Sequence, residues 1–103
     1  MSRSLNLLRI LKFNLQKMQT LLSYGDGESA VKITFQNERI IALLDSCKNT
    51  QTTDELKIQE LVEDCLLLQE DCDSKLKSIA LEYKKELNIH LIKNQLHRHL
   101  KNT

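Results

Sequence analysis

Hydrophobic residues recur every three or four positions along most of this 103-residue chain, and this is the spacing of one face of an α-helix. The first stripe predicts a helix over residues 4–23. The second predicts a helix over residues 27–47, with Asn37 interrupting its apolar positions. The first stripe consists of Leu8, Leu11, Leu15, Met18 and Leu22. The second consists of Ala30, Ile33, Ile40, Ile41, Leu44 and Cys47.

The break between these two helices falls at Tyr24-Gly25-Asp26-Gly27, where the only two glycines of the chain lie. Gly25 suits the left-handed conformation that ends many helices. Asp26 suits the N-cap of the next helix, and Glu28 would then lie in the first helical turn, where a negative charge is favourable. The sequence therefore predicts a short turn between two helices that run in opposite directions.

A third stripe follows a polar loop at residues 48–53 and predicts a helix over residues 53–87. The sequence Thr52-Thr53-Asp54-Glu55 fits a capping box at the start of this helix. The third stripe consists of Ile58, Leu61, Val62, Cys65, Leu68, Cys72, Leu76, Ile79, Ala80, Tyr83 and Leu87.

The apolar positions change phase after Leu87. On a continuous α-helix the later residues lie roughly opposite the third stripe. These later residues are Ile89, Ile92, Leu96 and Leu100. Either the chain bends near Asn88 into a short C-terminal helical segment over residues 89–101, or one long helix presents two faces. We expect the bend.

The composition supports a single helical domain over residues 1–103. Apolar residues make up 41% of the chain and charged residues 28%, and there is no proline. Folds rich in strands need turns, and turns need glycine and proline. We therefore predict an all-α fold: an antiparallel bundle of three helices, with an elongated third helix and a short C-terminal helical segment.

The predicted helices differ in length. The first two span roughly 30 Å each, whereas the third spans roughly 52 Å at 1.5 Å per residue. The third helix therefore passes the level of the Gly25 turn near Asp73. Beyond that level it still carries an apolar face, and leaving this face in water forgoes several kcal/mol, at ~25 cal/mol per Å². Three alternatives could bury this face: the 89–101 segment folded back, a second copy of the chain, or another protein.

We predict that this face binds a partner. Its residues are Cys72, Leu76, Ile79, Ala80, Tyr83 and Leu87. Four lysines border it, and a groove bordered by lysines suits an acidic amphipathic helix. These are Lys75, Lys77, Lys84 and Lys85.

Charge is segregated along the chain although the net charge is only +1. Residues 1–24 carry bases and no acid, residues 54–73 carry eight acids and one lysine, and residues 75–103 are basic again. This pattern suggests that the first segment lies beside the third, with opposite charges facing each other. The alternative is that the three segments are solvated faces that differ only in the sign of their charge, since exposed ion pairs contribute only ~0–1 kcal/mol each. The basic tail lacks interleaved aromatics, so nucleic-acid binding is the weakest interpretation.

No motif for catalysis or cofactor binding occurs in the sequence, so we predict neither an enzyme nor a cofactor. His90, His97 and His99 are poorly spaced for a shared metal ion. Cys65 and Cys72 lie about 10 Å apart on one helical face, too far for a disulfide, and indicate a reducing compartment. Polar residues interrupt the N-terminal apolar stretch, which excludes a signal peptide or membrane span and favours the cytoplasm.

Residues 18–31, MQTLLSYGDGESAV, resemble the first turn of FliT-like proteins, the flagellar type III export chaperones of the filament-cap protein. In that family a helix ending in leucines meets a Gly-Asp turn, and the next helix begins with acids and alanine. Residues 38–44, ERIIALL, are similar to the middle of the family's second helix. Glu60-Leu61-Val62 and the long third helix are similar too.

The resemblance implies a chaperone without catalytic activity. It would hold the helical C-terminal segment of the filament-cap protein and deliver it to the export ATPase complex, and some members bind a flagellar transcription regulator. It also implies that a C-terminal segment masks the binding face; here that segment is Ile89, Ile92, Leu96 and Leu100. The alternative is a homodimeric helical adapter unrelated to export, using the same surface on itself.

Overall fold

The computed structural model describes residues 3–47 and 55–101. These ranges form three helices and no strand: α1 (Arg3–Ser23), α2 (Gly27–Asp45) and α3 (Glu55–Lys101). The predicted all-α class with three helices is confirmed for this part of the chain. The predicted loop at residues 48–53 and most of the capping box lie outside the described residues, and Glu55 is the first residue of α3.

The turn between α1 and α2 has the predicted geometry. Gly25 has a φ of 78°, a left-handed conformation that is costly for a residue with a Cβ atom. The N–H of Asp26 donates to the Leu21 carbonyl at 2.9 Å and that of Gly25 to the Leu22 carbonyl at 3.0 Å, which together form a Schellman motif. Asp26 then caps α2 by accepting from the backbone N–H of Ser29 at 3.1 Å.

Helix α1 is the centre of the fold, since it packs against both α2 and α3. Its predicted stripe is buried throughout and extends by one residue, Leu5, towards the N-terminus. Leu15 and Met18 are among the most completely buried side chains of the described residues. Phe13 and Phe35 lie off the stripes and are exposed, so neither aromatic ring fills a corner between helices.

Asn37 interrupts the stripe of α2 because its amide has polar partners inside the core. It is 3% exposed. Its Oδ1 accepts from Asn14 Nδ2 at 3.1 Å, and its Nδ2 donates to Met18 Sδ at 3.3 Å. These contacts place the middle of α2 beside the second half of α1. Leaving this buried amide without hydrogen-bond partners would lower the stability of the fold by about 1–3 kcal/mol.

Helices α1 and α3 run in the same direction, because their polar contacts share one sequence separation. Lys12 Nζ donates to Asp64 Oδ2 at 2.9 Å, and Gln19 Nε2 donates to Asp71 Oδ2 at 2.7 Å. The two residues of each pair are 52 positions apart in the sequence. The predicted placement of the basic first segment beside the acidic part of the third is therefore confirmed. The bond from Gln19, helped by Lys75, lowers the pKa of Asp71 below its ordinary value.

Two cysteines lie between α3 and the backbone of α1. Cys65 Sγ approaches the Leu8 carbonyl oxygen at 3.8 Å, and Cys72 Sγ approaches the Leu15 carbonyl oxygen at 3.6 Å. Both thiols are free, as predicted, and both are buried. Burial raises the pKa of each above its ordinary value, so both remain protonated over a wider pH range.

The predicted bend near Asn88 is wrong, since α3 continues without interruption for 47 residues. Helices break at glycine, proline or an inserted group, and residues 55–101 contain neither glycine nor proline. The change of phase after Leu87 marks a change in which side of the helix is apolar. The Cα atoms span 76 × 22 × 15 Å as a result. None of the described helices combines the length and apolar character needed to cross a membrane.

Candidate helix-binding groove

The α1–α2 hairpin accompanies α3 for only about half of its length. Lys75 Nζ lies 3.4 Å from Ser23 Oγ at the end of α1. One turn further, Ile79 Cγ2 lies 3.7 Å from the position that a Cβ atom on Gly27 would occupy. Every described side chain from residue 80 to residue 100 is exposed. The turn between α1 and α2 therefore marks the end of the packed part of α3.

A groove of about 740 Å³ lies at this end. The turn and the start of α2 form one wall, and about three turns of α3 form the other. Its lining residues are Gly25, Asp26, Gly27, Glu28, Val31, Leu76, Ile79, Ala80, Tyr83, Lys84 and Leu87. The groove therefore brings together five of the six residues that we expected to bind a partner.

The sixth residue, Cys72, does not line the groove. Its side chain is 0% exposed, and its thiol faces the Leu15 carbonyl of α1. The prediction that Cys72 contacts a partner is therefore wrong. The predicted level of the turn, near Asp73, was slightly too early, since α1 still covers α3 as far as Lys75.

The apolar residues of the groove fall into a half-buried pair near the turn and an exposed pair beyond it. Leu76 and Ile79 are half-buried, while Tyr83 is 70% and Leu87 is 55% exposed. These side chains continue the side of α3 that faces α1 in the first half of the helix. An apolar face that continues past the end of its neighbour is the geometry of a docking surface for a further helix.

The sequence did not reveal the opposite wall of this groove. Val31 contributes to it and is 44% exposed. The signal in the sequence was the weaker apolar patch of Val31, Phe35 and Ala42 on α2, which lies off the core stripe. A periodic stripe identifies the residues on one face of a helix. It does not show which of these residues lie next to another helix.

A second groove was not predicted. It has a volume of about 240 Å³ and lies over the first half of α1, where α2 and α3 leave space between them. It is almost entirely apolar. Its lining residues are Leu8, Leu11, Leu15, Ile41, Leu44, Val62, Cys65, Leu66 and Gln69. Leu66, which is 60% exposed, is the clearest sign of it in the sequence, because it is apolar and lies off the core stripe.

The charges around the first groove are mixed. Asp26 and Glu28 lie on the wall from the turn, and Lys84 lies on the wall from α3. The hydrogen bond from Ser29 lowers the pKa of Asp26, so this carboxylate remains ionised. Of the four lysines expected at the border, Lys84 lines the groove, whereas Lys75 pairs with Asp71 at 2.9 Å.

The four residues of the expected masking segment lie beyond the groove on the same helix. Ile89 is 54%, Ile92 56%, Leu96 58% and Leu100 71% exposed. Because α3 is continuous, these residues extend away from the α1–α2 turn. In this conformation the segment leaves the groove open.

Within residues 3–47 and 55–101, no cluster of three or more His, Cys, Asp or Glu side chains is arranged to hold a metal ion. No protein-family model, curated protein or solved structure matches the chain.

Proposed function

We propose that this chain is a helix-binding protein of the flagellar export-chaperone type. It holds an amphipathic helix of another protein in the groove beside the α1–α2 turn. The observation that carries this proposal is the apolar face formed by Leu76, Ile79 and Tyr83, which continues past the end of α1. A helix laid along this face would bury side chains that are now half-buried or exposed, which is the usual mode of helix-in-groove recognition.

The resemblance to FliT-like proteins supports a specific partner. In this proposal the helix comes from the C-terminal segment of the filament-cap protein, and the chain delivers it to the type III export apparatus through the export ATPase complex. A flagellar transcription regulator is a further partner of the same kind. The chain acts in the cytoplasm as an antiparallel three-helix bundle, and it binds without catalysing a reaction.

Co-expression with a flagellar filament-cap protein tests the proposal. We expect a soluble one-to-one complex that survives size-exclusion chromatography. Tyr83→Asp places a charge in the middle of the apolar face and should weaken the complex by about 2 kcal/mol or more, as loss of a central aromatic contact does.

Leu96→Asp is the matched control. It introduces the same charge into the same helix, at a site that is exposed but outside the groove. We expect it to leave affinity for the cap protein unchanged. A complex that forms equally well with both variants would show that binding does not use this groove.

The alternative function is a homodimeric helical adapter or regulator unrelated to export. It is favoured by the distribution of charge along α3, where an acidic half precedes a basic half. The co-expression experiment separates the two functions. The adapter would form a stable homodimer and would give no complex with the cap protein.

A further inference from the structure

The second groove is an unfilled position beside α1. Helices α2 and α3 both pack on α1, and the groove lies between them over the buried stripe of α1. Its walls include exposed apolar side chains from both flanking helices, which are Ile41, Val62 and Leu66. A further helix placed here would bury these side chains and would turn the three helices into a four-helix arrangement.

Acidic side chains border the second groove on its α3 side. Glu63, Glu70 and Asp73 are exposed and lie three, four and seven residues from Leu66. Residues at these spacings share one side of an α-helix. Gln69, which lines the groove, donates from Nε2 to Asp73 Oδ1 at 3.0 Å. This hydrogen bond holds the Asp73 carboxylate beside the groove.

The α2 side of the groove also carries an acid. Glu38 is exposed and lies three residues before Ile41, so it shares the side of α2 that faces the groove. The apolar floor and walls of the groove therefore lie between carboxylates on both flanking helices.

The neighbouring bases lie on other sides of these two helices. Arg39, the nearest described base on α2, lies two residues before Ile41, about 160° around the helix. On α3 the nearest lysines are Lys57 and Lys75, each nine residues from Leu66, which places them about 180° around the helix. These bases therefore do not offset the negative charge that faces the groove.

We propose that the second groove binds a basic amphipathic helix of another protein. The apolar side of that helix packs against Ile41 and Leu66, and its lysines or arginines face the acids on α2 and α3. This is helix-in-groove recognition, with complementary charge selecting the partner. The inference goes beyond the proposed function, because it assigns a second site and a helix of opposite charge to the one expected in the first groove.

The two grooves can be occupied at the same time. They share no lining residue. On α3 the second groove ends at Gln69 and the first begins at Leu76, a separation of roughly 10 Å along the helix axis. In this proposal the chain therefore bridges two proteins, each of which supplies one helix.

Fluorescence anisotropy of the full chain with a labelled synthetic peptide tests the proposal. The probe is a helical peptide of about 18 residues with leucine at heptad positions a and d and lysine at e and g. A second peptide carries glutamate in place of each lysine. We expect the lysine peptide to bind with a micromolar dissociation constant that rises with salt. The glutamate peptide should bind at least about tenfold more weakly.

Two neighbouring leucines locate the binding site. Leu66→Gln removes an apolar wall residue and should raise the dissociation constant of the lysine peptide roughly tenfold. Leu67→Gln makes the same change one residue later, outside the groove and about 100° around the helix, and should change it less than about twofold. Both leucines are exposed, so both variants retain the fold. Equal effects of the two variants would overturn the proposal.

Two acids test the charged border in the same way. Glu70→Lys should raise the dissociation constant of the lysine peptide about fivefold at low salt, and less at high salt. Glu60→Lys makes the same change in net charge at an exposed site six residues before Leu66, about 120° around the helix, and should change it less than about twofold. Equal losses would mean that the peptide responds to net charge alone and would contradict the proposal.

The remaining outcomes identify the occupant. No binding of the lysine peptide at about 1 mM, or equal binding of both peptides, would overturn the proposal. So would self-association of the parent chain that is lost in Leu66→Gln but kept in Leu67→Gln, because the occupant would then be a second copy. Tyr83→Asp, which changes the first groove, should leave the lysine peptide bound within about twofold. The second site and the proposed function therefore fail or succeed separately.

Discussion

The two halves of α3 have similar apolar side chains but different surroundings. In the first half Cys65 and Cys72 are buried against the carbonyl groups of α1. In the second half Tyr83, Leu87 and Ile92 are all more than half exposed. The backbone is one continuous helix throughout, so the difference comes from the neighbour. Helix α1 ends at Ser23, and the packed part of α3 ends with it.

The comparison shows that helix propensity and tertiary packing are separate properties of this chain. The second half of α3 has the composition to be helical without a partner in the same molecule. Forming the first turn of an isolated helix is costly, so the second half depends on the packed half for nucleation. Its apolar side chains are available for contacts outside the chain.

The largest expected effect on stability comes from truncating a side chain in the packed region. Leu15→Ala removes a side chain that is 1% exposed, and we expect it to lower the free energy of unfolding by about 2–5 kcal/mol. Leu96→Ala, the same change in the exposed half, should alter it by less than about 0.5 kcal/mol. Urea denaturation followed by circular dichroism measures both. Equal losses would mean that the two halves are packed alike.

Hydrogen exchange compares the halves residue by residue. In the chain without a partner we expect backbone amides of residues 60–75 to exchange at least about 100-fold more slowly than those of residues 85–98, because unpacked helices open at low free-energy cost. Mass spectrometry of peptides from each half gives this ratio. Equal exchange rates in the two halves would show that the second half of α3 is packed as well as the first.

The buried amide provides a third test. Asn37→Ala deprives Asn14 and Met18 of their polar partner, and we expect a loss of about 1–2 kcal/mol in the free energy of unfolding. Asn88→Ala, in the exposed half of α3, should cause no loss, because alanine is the better helix former. A neutral Asn37→Ala variant would show that the hydrogen bonds of this amide do not stabilise the core.

The smallest expected effect is a dependence of stability on alkaline pH. Burial raises the pKa of the Cys65 and Cys72 thiols above the ordinary value of 9.0. The unfolded chain therefore releases protons first, and stability is retained below pH 9 and falls as the pH rises towards the folded pKa values. Urea midpoints between pH 8 and pH 10 measure the decline. A Cys65→Ala and Cys72→Ala double variant should show a shallower decline than the parent.

The sequence predicted those features that depend on local chemistry. The stripe of α1, the left-handed Gly25 and the Asp26 cap follow from residues that are close along the chain. The groove residues Leu76 and Tyr83 could also be predicted, because a difference in helix length leaves one face uncovered whatever the details of packing.

The features that the sequence missed depend on distances between helices. Cys72 belongs to the same stripe as the groove residues, and only the level at which α1 ends decides that it is buried against Leu15 instead of facing a partner. The second groove depends on how far α2 and α3 lie apart over α1, and no periodicity in one helix reports that distance. The phase change at Asn88 concerns side chains only, and it does not predict a bend because the backbone there contains neither glycine nor proline.

An unbroken α3 also has a mechanical consequence. About 21 residues project past the hairpin, so the helix forms a continuous arm of roughly 32 Å. A tilt of about 10° at its base would move its tip by about 5 Å, since the displacement grows with the length of the arm. A group inserted between Gly27 and Ile79 would tilt α3 at its base. The resulting displacement would be largest at the far end, so the position of Leu100 would indicate a change at the hairpin.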